Sequence, residues 1–154
     1  MGTPATDIGA EDPAHSLDAF PSRTTDKLRY ADTDRQGHVN NAVFATFLET
    51  GRVEILYNKD GPLAAPGCAF VIARLELDFL SEINWPGDVE TGTRITRIGT
   101  SSVTLDQAVF QDGRIAARAK TVIVQMDETT RKSSPLTSKT QECLSQFVRP
   151  TNDA

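Results

Sequence analysis

The chain has 154 residues, a formal net charge of −5 and a pI near 5.0. This length fits one domain with its own hydrophobic core, and the excess of 21 acidic over 16 basic side chains argues against a general binder of nucleic-acid backbones. The two cysteines, Cys68 and Cys143, stand apart from each other and from any histidine pair, so the sequence predicts neither a metal site nor a disulfide framework.

Residues 1–21 are rich in Pro, Gly, Ala and Asp and have no helical or strand periodicity, which predicts a mobile acidic tail. We expect a single domain over residues 22–149 and a short C-terminal tail over residues 150–154. No apolar run reaches the ~18–20 residues that a membrane-spanning helix requires, and the N-terminus lacks the features of a secretion signal. These patterns predict a soluble protein that does not bind a membrane, and the isolated cysteines predict a cytoplasmic one.

The first predicted elements are a strand in "TTDKLRY", a turn in "DRQG" and a long helix. Asp34 and Gly37 take the first and fourth positions expected of a type I turn. An apolar stripe at helical spacing runs along the helix and consists of Phe44, Phe47, Leu48, Gly51 and Ile55. Much of the remaining circumference is also apolar, so we expect the helix to be enclosed. Gly51 costs about 1 kcal/mol of helix propensity relative to Ala, which indicates a close approach of a sheet there.

The rest of the chain is predicted to be mostly strand. In "CAFVIARLELDF" the odd-numbered residues from Ala69 to Phe79 are expected to share one inward face, with Phe70 and Ile72 on the outer face. The segments "VETGTRITRI", "SVTLDQAVF" and "IAARAKTVIVQM" would complete a four-stranded meander, with an Asp-Gly hairpin turn before the last. A final helix is expected from Pro135, with Ser138 and Gln141 as a capping box. The order predicts an α+β fold in which an antiparallel sheet curls around one long central helix.

The segment from Tyr30 to Arg52 carries residues suited to attack on a carbonyl. The carboxylate of Asp34 can act as nucleophile or as general base for water. A helix that starts near Asn41 offers unpaired backbone N–H groups to an oxyanion, and His38 could orient the carboxylate, hold water or protonate a leaving group. Each residue also has a structural interpretation: Asp34 as a turn residue, His38 as a histidine bonded to backbone, and Asn40 and Asn41 as N-caps.

The order of elements and the segment "DTDRQGHVNN…FLETGR" resemble the hotdog-fold acyl-thioesterases, over roughly Asp26 to Arg131. The resemblance implies a hotdog fold, an enzyme that hydrolyses acyl-CoA to a free acid and CoA, and no cofactor. It implies that Asp34 acts on the thioester and that the backbone N–H of Asn41 binds the carbonyl oxygen. It leaves open whether Asp34 is nucleophile or base, which acyl group is cleaved, and whether an acyl carrier protein replaces CoA.

Three charged residues are further candidates for the site. "TRKSSP" resembles the "TRKP" ending of the family, which implies that Arg131 and Lys132 lie near the pantetheine or nucleotide end of CoA; alternatively they belong to a solvated strand end. Glu49 is either an i,i+3 ion-pair partner of Arg52 or a reserve candidate for the catalytic acid in contact with the substrate, since some hotdog thioesterases place their catalytic acid on the central helix. The acidic or thiol residue that plant acyl-carrier-protein thioesterases add from a later strand has no convincing match.

Exposed sheet edges and the resemblance together predict a homo-oligomer, a dimer or a dimer of dimers, with sites built from both subunits. The alternative to an enzyme is a non-catalytic acyl-CoA binding or sensing protein with the same fold. A hotdog dehydratase is a third interpretation, but its usual His and acidic pattern is not found.

Overall fold

The computed structural model describes residues 15–149. Residues 1–14 and 150–154, which include most of the expected N-terminal tail and all of the C-terminal one, lie outside the described residues. The helices and strands are β1 (Ser22–Lys27), α1 (Asn41–Leu56), β2 (Tyr57–Asn58), β3 (Gly61–Pro62), β4 (Cys68–Phe79), β5 (Asp88–Ile98), β6 (Ser102–Gln111), β7 (Arg114–Asp127) and α2 (Ser138–Ser145). Within residues 15–149, no helix is long and apolar enough to cross a membrane.

A five-stranded antiparallel sheet in the order β1-β5-β6-β7-β4 forms one layer, and α1 contacts β1, β5 and β6. Residues of α1 belong to both large core clusters, so the helix lies along the core for most of its length. The buried side of α1 includes the predicted apolar stripe. The predicted α+β class, with an antiparallel sheet and one long central helix, is confirmed.

The predicted four-stranded meander is wrong in its pairing. Only β5, β6 and β7 form a meander, because β4 pairs with β7 at the far edge of the sheet. Between β6 and β7 the predicted Asp-Gly turn is present, with φ of 51° at Asp112 and 76° at Gly113. Residues 80–87 connect β4 to β5 without such a turn, so the local sequence does not force these two strands to pair.

A β-bulge in β4 changes which residues face the core. Ile72 lies opposite Ile123 and Arg74 opposite Val122, so Ala73 has no partner in the register. An extra residue reverses the alternation of side chains. Phe70 therefore packs against the core before the bulge and Leu77 after it. The predicted inward face is wrong in the first half of the strand, where Phe70 and Ile72 are not on the outer face.

Several apolar side chains of β4 nevertheless remain accessible. Ile72 is 52% exposed and Phe79 50%, and Val71, Leu75 and the following Leu80 are also exposed. The strand has β7 as its one neighbour within the described residues, so its other edge presents unpaired backbone groups. This edge combines apolar side chains with free hydrogen-bonding capacity.

The folded domain starts before the expected boundary at residue 22. Leu17–Ala19 form a turn of 3-10 helix, and Phe20 is only 2% exposed. The ring of Phe20 lies 6.3 Å from that of Phe110, edge to face, and covers Gly92, where a Cβ would come 2.5 Å from the ring. Residues 15–21, which were expected to belong to the tail, are therefore packed against the outer face of the sheet through one aromatic side chain.

Two predicted element boundaries also differ. The chain leaves β1 after Lys27 and forms a short 3-10 turn over Tyr30–Asp32. The last helix begins at Ser138 rather than Pro135, and its N-cap is Thr137, whose hydroxyl accepts the N–H of Thr140 at 3.1 Å. The expected capping box at Ser138 is wrong because the helix has already begun at that residue.

The close approach predicted at Gly51 is confirmed. A Cβ at this position would lie 2.8 Å from Oγ1 of Thr93 and 2.9 Å from Nε2 of Gln107, both fully buried. The helix backbone thus rests directly on β5 and β6, at a distance that a side chain would prevent.

We expect Gly51→Ala to lower the free energy of unfolding by about 1 to 2 kcal/mol, because the cost of overpacking exceeds the gain of about 1 kcal/mol in helix propensity. Thr46→Ala, on the exposed side of the same helix, is the matched control and should be neutral or slightly stabilising. Urea denaturation of the three proteins measures the difference. A Gly51→Ala protein that is more stable than the parent contradicts the close contact.

Candidate active site

A tight hairpin carries Asp34. Thr33 pairs with Val39, the N–H of Asp34 donates to the carbonyl of His38 at 2.8 Å, and the N–H of Gly37 donates to the carbonyl of Asp34 at 3.1 Å. Gly37 has φ of 81°, a conformation that side chains disfavour. The predicted turn between Asp34 and Gly37 is confirmed, and it returns the chain at once to the start of α1.

The Asp34 carboxylate is oriented by backbone groups of its own turn. Its Oδ1 accepts the N–H of Gln36 at 2.8 Å and that of His38 at 3.3 Å. Its Oδ2 has no hydrogen-bond partner within residues 15–149, and the residue is exposed. Asp34 therefore forms the turn and still has one oxygen available for chemistry.

The start of α1 leaves one backbone donor available. Asn40 is the N-cap: its side chain accepts the N–H of Ala42 at 3.0 Å, and its carbonyl accepts the N–H of Val43 at 2.9 Å. Asn41 is the first helical residue, and its N–H has no acceptor in the part of the chain that the structure describes. Because α1 is 16 residues long, this donor lies at the positive end of a substantial helix dipole.

One open cavity of about 360 Å³ is lined by Asp34, His38 and Asn41 together. Its other lining residues include apolar side chains from α1 and the end of β4, namely Phe44, Phe79 and Leu80. The rings of Phe44 and Phe79 meet edge to face at 5.1 Å. The fold thus brings the three predicted residues to one place and sets an apolar wall beside them.

The side chain of His38 is directed to a residue that the sequence did not indicate. Its Nε2 lies 3.1 Å from Oε2 of Glu82, which also lines the cavity. Towards Asp34, His38 offers its backbone N–H. Glu82 was missed because it lies on the connection between β4 and β5, and no local spacing relates that segment to the hairpin.

Asp32 holds the turn before the Asp34 hairpin in place. It is buried, and its carboxylate accepts the backbone N–H of Arg29 at 2.8 Å and its guanidinium at 2.9 Å. Burial raises the pKa of Asp32, but the hydrogen bonds and charge of Arg29 outweigh it and hold the pKa below its ordinary value. The carbonyl of Asp32 accepts the N–H of Asn40 at 2.8 Å, which connects this anchored turn to the helix start.

Glu49 and Arg52 do not form the expected ion pair. Glu49 is exposed, whereas Arg52 is buried and donates to Oε1 of Gln107 at 3.3 Å. Burial lowers the pKa of Arg52, and the charge of Glu49 partly offsets this effect. Glu49 does not line the cavity that contains Asp34.

Arg131 and Lys132 lie at the opposite end of the sheet. They follow β7 in a turn closed by a hydrogen bond from the N–H of Arg131 to the carbonyl of Asp127, at 2.9 Å. Phe79, beside the cavity, is opposite Ala117 near the start of β7. At about 3.3 Å per residue, the strand from Ala117 to Asp127 spans roughly 30 Å. Within one chain, the two basic residues are therefore too far away to share a site with Asp34.

Comparisons with known proteins agree on one family. Residues 28–144 match the model of the thioesterase-like superfamily. Over 131 residues, the chain is 27% identical to the long-chain acyl-CoA thioesterase FadM of Escherichia coli, which covers 82% of this chain and 99% of that protein. It is also 27% identical to the acyl-CoA thioester hydrolase YbgC of Escherichia coli, over 71% of this chain and 85% of that protein.

Solved structures show the same similarity. A predicted thioesterase from Bacillus stearothermophilus superposes with a TM-score of 0.76 at 30% identity, over 84% of this chain and 97% of that one. A Thermus thermophilus thioesterase complexed with coenzyme A and zinc superposes with a TM-score of 0.70, also at 30% identity, over 81% of this chain and 98% of that one.

Proposed function

The chain belongs to the thioesterase-like superfamily and has its hotdog fold, and from this premise we propose that it is an acyl-CoA thioesterase that releases a free acid and CoA. Relatives named for hydrolysis of acyl-CoA thioesters support the substrate class. The observation that carries the proposal is that Asp34 and Asn41 line one cavity, and that the N–H of Asn41 has no acceptor within residues 15–149.

The N–H of Asn41 is assigned to the carbonyl oxygen of the thioester. This oxygen gains negative charge as the carbon becomes tetrahedral, and a donor fixed in advance stabilises that charge without reorganisation. The helix dipole acts in the same direction. The side chain of Asn41 has no part in this role, so the amino acid at this position matters mainly through its backbone.

Asp34 is assigned to the attack on the carbonyl carbon. As a nucleophile, its free oxygen would form a mixed anhydride that water then hydrolyses. As a general base, it would take a proton from the water that attacks. Both routes use the same oxygen, Oδ2, which is the one that the turn leaves free. Water supplies the second reactant in either route, and the proposal assigns no cofactor.

A homodimer built through β4 would complete the site. Pairing two copies of this edge strand antiparallel would cover its exposed apolar side chains and satisfy its unpaired backbone groups. A two-fold axis across β4 would set the Cys68 end of one strand beside the Phe79 end of the other. The partner subunit's Arg131 and Lys132 would then approach the cavity around Asp34, where they suit the phosphates of CoA.

We expect Asp34→Asn to lower kcat/KM by about 10²- to 10⁴-fold, because the amide can neither attack nor accept a proton. Thiol release from short, medium, long and aromatic acyl-CoAs measures this and also identifies the preferred acyl group. Asp60→Asn, an exposed aspartate in the β2–β3 turn, is the control and should leave activity unchanged. If the Asp34 variant keeps most of its activity, the assignment is wrong. Affinity for acyl-CoA without hydrolysis by the parent protein would favour the non-catalytic alternative.

We expect Asn41→Pro to remove the proposed oxyanion donor while the helix is kept. Proline is favoured at the first helical position, and Asn40 already has φ of −59° and ψ of 138°, which proline tolerates in the preceding residue. We predict a fall in kcat of about 10²-fold with little change in melting temperature. Asn41→Ala keeps the N–H and should retain most of the rate; equal loss in both variants contradicts a backbone role.

We expect the protein to be a dimer at micromolar concentration by light scattering, and Ile72→Lys to shift it towards monomer because the charge would be buried in the β4 interface. Thr25→Lys introduces the same charge on the opposite edge strand, β1, where it is exposed, and should leave the dimer intact. A parent protein that is monomeric at this concentration would rule out the shared site.

A further inference from the structure

We propose that Glu82 is a positioning residue, which holds the His38 imidazole so that it protonates the thiolate that leaves the thioester. The inference rests on the proposed thioesterase function and adds a residue to it. Oε2 of Glu82 lies 3.1 Å from Nε2 of His38, and both residues line the cavity that contains Asp34.

Backbone contacts hold the two residues in register. His38 pairs with Asn84, and the N–H of Val39 donates to the carbonyl of Ile83 at 2.8 Å. The carbonyl of Glu82 itself accepts a hydrogen bond from the Arg114 guanidinium at 2.9 Å. The segment that carries Glu82 is therefore fixed to the hairpin on one side and to β7 on the other. Its carboxylate meets the imidazole because of this arrangement, although the side chain is 66% exposed.

The other ring nitrogen of His38 remains available. Within residues 15–149, Nδ1 has no hydrogen-bond partner, and the side chain is 30% exposed. Among the residues that line the cavity, the charged neighbours of His38 are Glu82, through its carboxylate, and Asp34, whose Oδ1 accepts the backbone N–H of His38. In its doubly protonated form, the ring can donate one N–H to Glu82 and present the other to the cavity.

The proton transfer completes the hydrolysis. When the tetrahedral intermediate collapses, the C–S bond breaks and its electron pair stays on sulfur. The Nδ1 proton of His38 passes to that sulfur, which leaves as the thiol, and the ring becomes neutral. The proton that the attacking water loses at Asp34 is returned to solvent or to His38, so water is consumed and a carboxylic acid and a thiol are produced.

An alternative explanation is that Glu82 only attaches its segment to the hairpin. Exposed ion pairs contribute about 0 to 1 kcal/mol to stability, so a melting temperature does not separate the two roles. A change of leaving group separates the two roles. An arylthiolate is stable enough to depart without a proton, whereas the alkylthiolate of CoA benefits from one.

The experiment compares Glu82→Gln with the parent protein on two thioesters of the same acyl group, one of CoA and one of an arylthiol. We expect kcat to fall about tenfold for the CoA thioester and less than about twofold for the aryl thioester, where no acid is needed. His38→Gln should show the same selectivity and a larger loss. Glu90→Gln, an exposed carboxylate on β5, is the matched control and should match the parent on both substrates.

Equal losses on the two thioesters, or no loss on either, overturn the role of Glu82. The Asp34→Asn variant distinguishes failure of this inference from failure of the proposed thioesterase function, since it should slow the cleavage of both thioesters. If the parent protein cleaves neither thioester, both the thioesterase function and the role of Glu82 are overturned. If cleavage depends on Asp34 but not on Glu82, only the role of Glu82 is overturned.

Discussion

One buried amide fixes the central helix to the sheet. Gln107 on β6 is fully buried; its Nε2 donates to the carbonyl of Leu48 and to Oγ1 of Thr93, both at 2.9 Å, and its Oε1 accepts from Arg52. Loss of these bonds would leave polar groups unsatisfied in the core, at about 1 to 3 kcal/mol each. Gly51 permits the contact because it adds no side chain between helix and sheet. These contacts therefore fix the position of the helix along β5 and β6, and with it the position of the helix N-terminus.

The candidate site depends on that fixed N-terminus. A short hairpin must return from β1 to the helix start, and the bond between Asn40 and the Asp32 carbonyl joins the two. The same hairpin pairs with the connection between β4 and β5 through His38 and Asn84. Three separate parts of the chain thus meet around one cavity, and each brings a different kind of group: a carboxylate from the hairpin, a backbone donor from the helix and a second carboxylate, Glu82, from the connection. A rigid scaffold of this kind is what preorganised stabilisation of a developing charge requires.

Structural features were predictable from the sequence where the residues that determine them lie close together along the chain. The turn at Asp34, the helix after it and the close contact at Gly51 were predictable because the spacing that determines them is local. The pairing of β4 with β7, the bulge at Ala73 and the burial of Phe20 were not, since each is decided by residues far away in sequence. Both faces of the first half of β4 are apolar, so the sequence gave no signal that the in/out alternation of side chains would change phase at the bulge. Glu82 was missed because no local spacing relates the β4–β5 connection to the hairpin that carries His38.

The exposed face of β4 also has a functional consequence in the proposed dimer. A hydrolase for acyl-CoA must bind an apolar acyl chain and a highly charged nucleotide on either side of a thioester, and these ends need unlike surroundings. Within a single chain, the apolar wall of Phe44 and Phe79 stands beside Asp34, whereas Arg131 and Lys132 lie roughly 30 Å away at the other end of β7. Antiparallel pairing of two edge strands reverses one copy relative to the other and so places unlike ends together. Pairing through β4, one of the two edge strands of the described sheet, would thus bring both halves of the substrate's chemistry to each site.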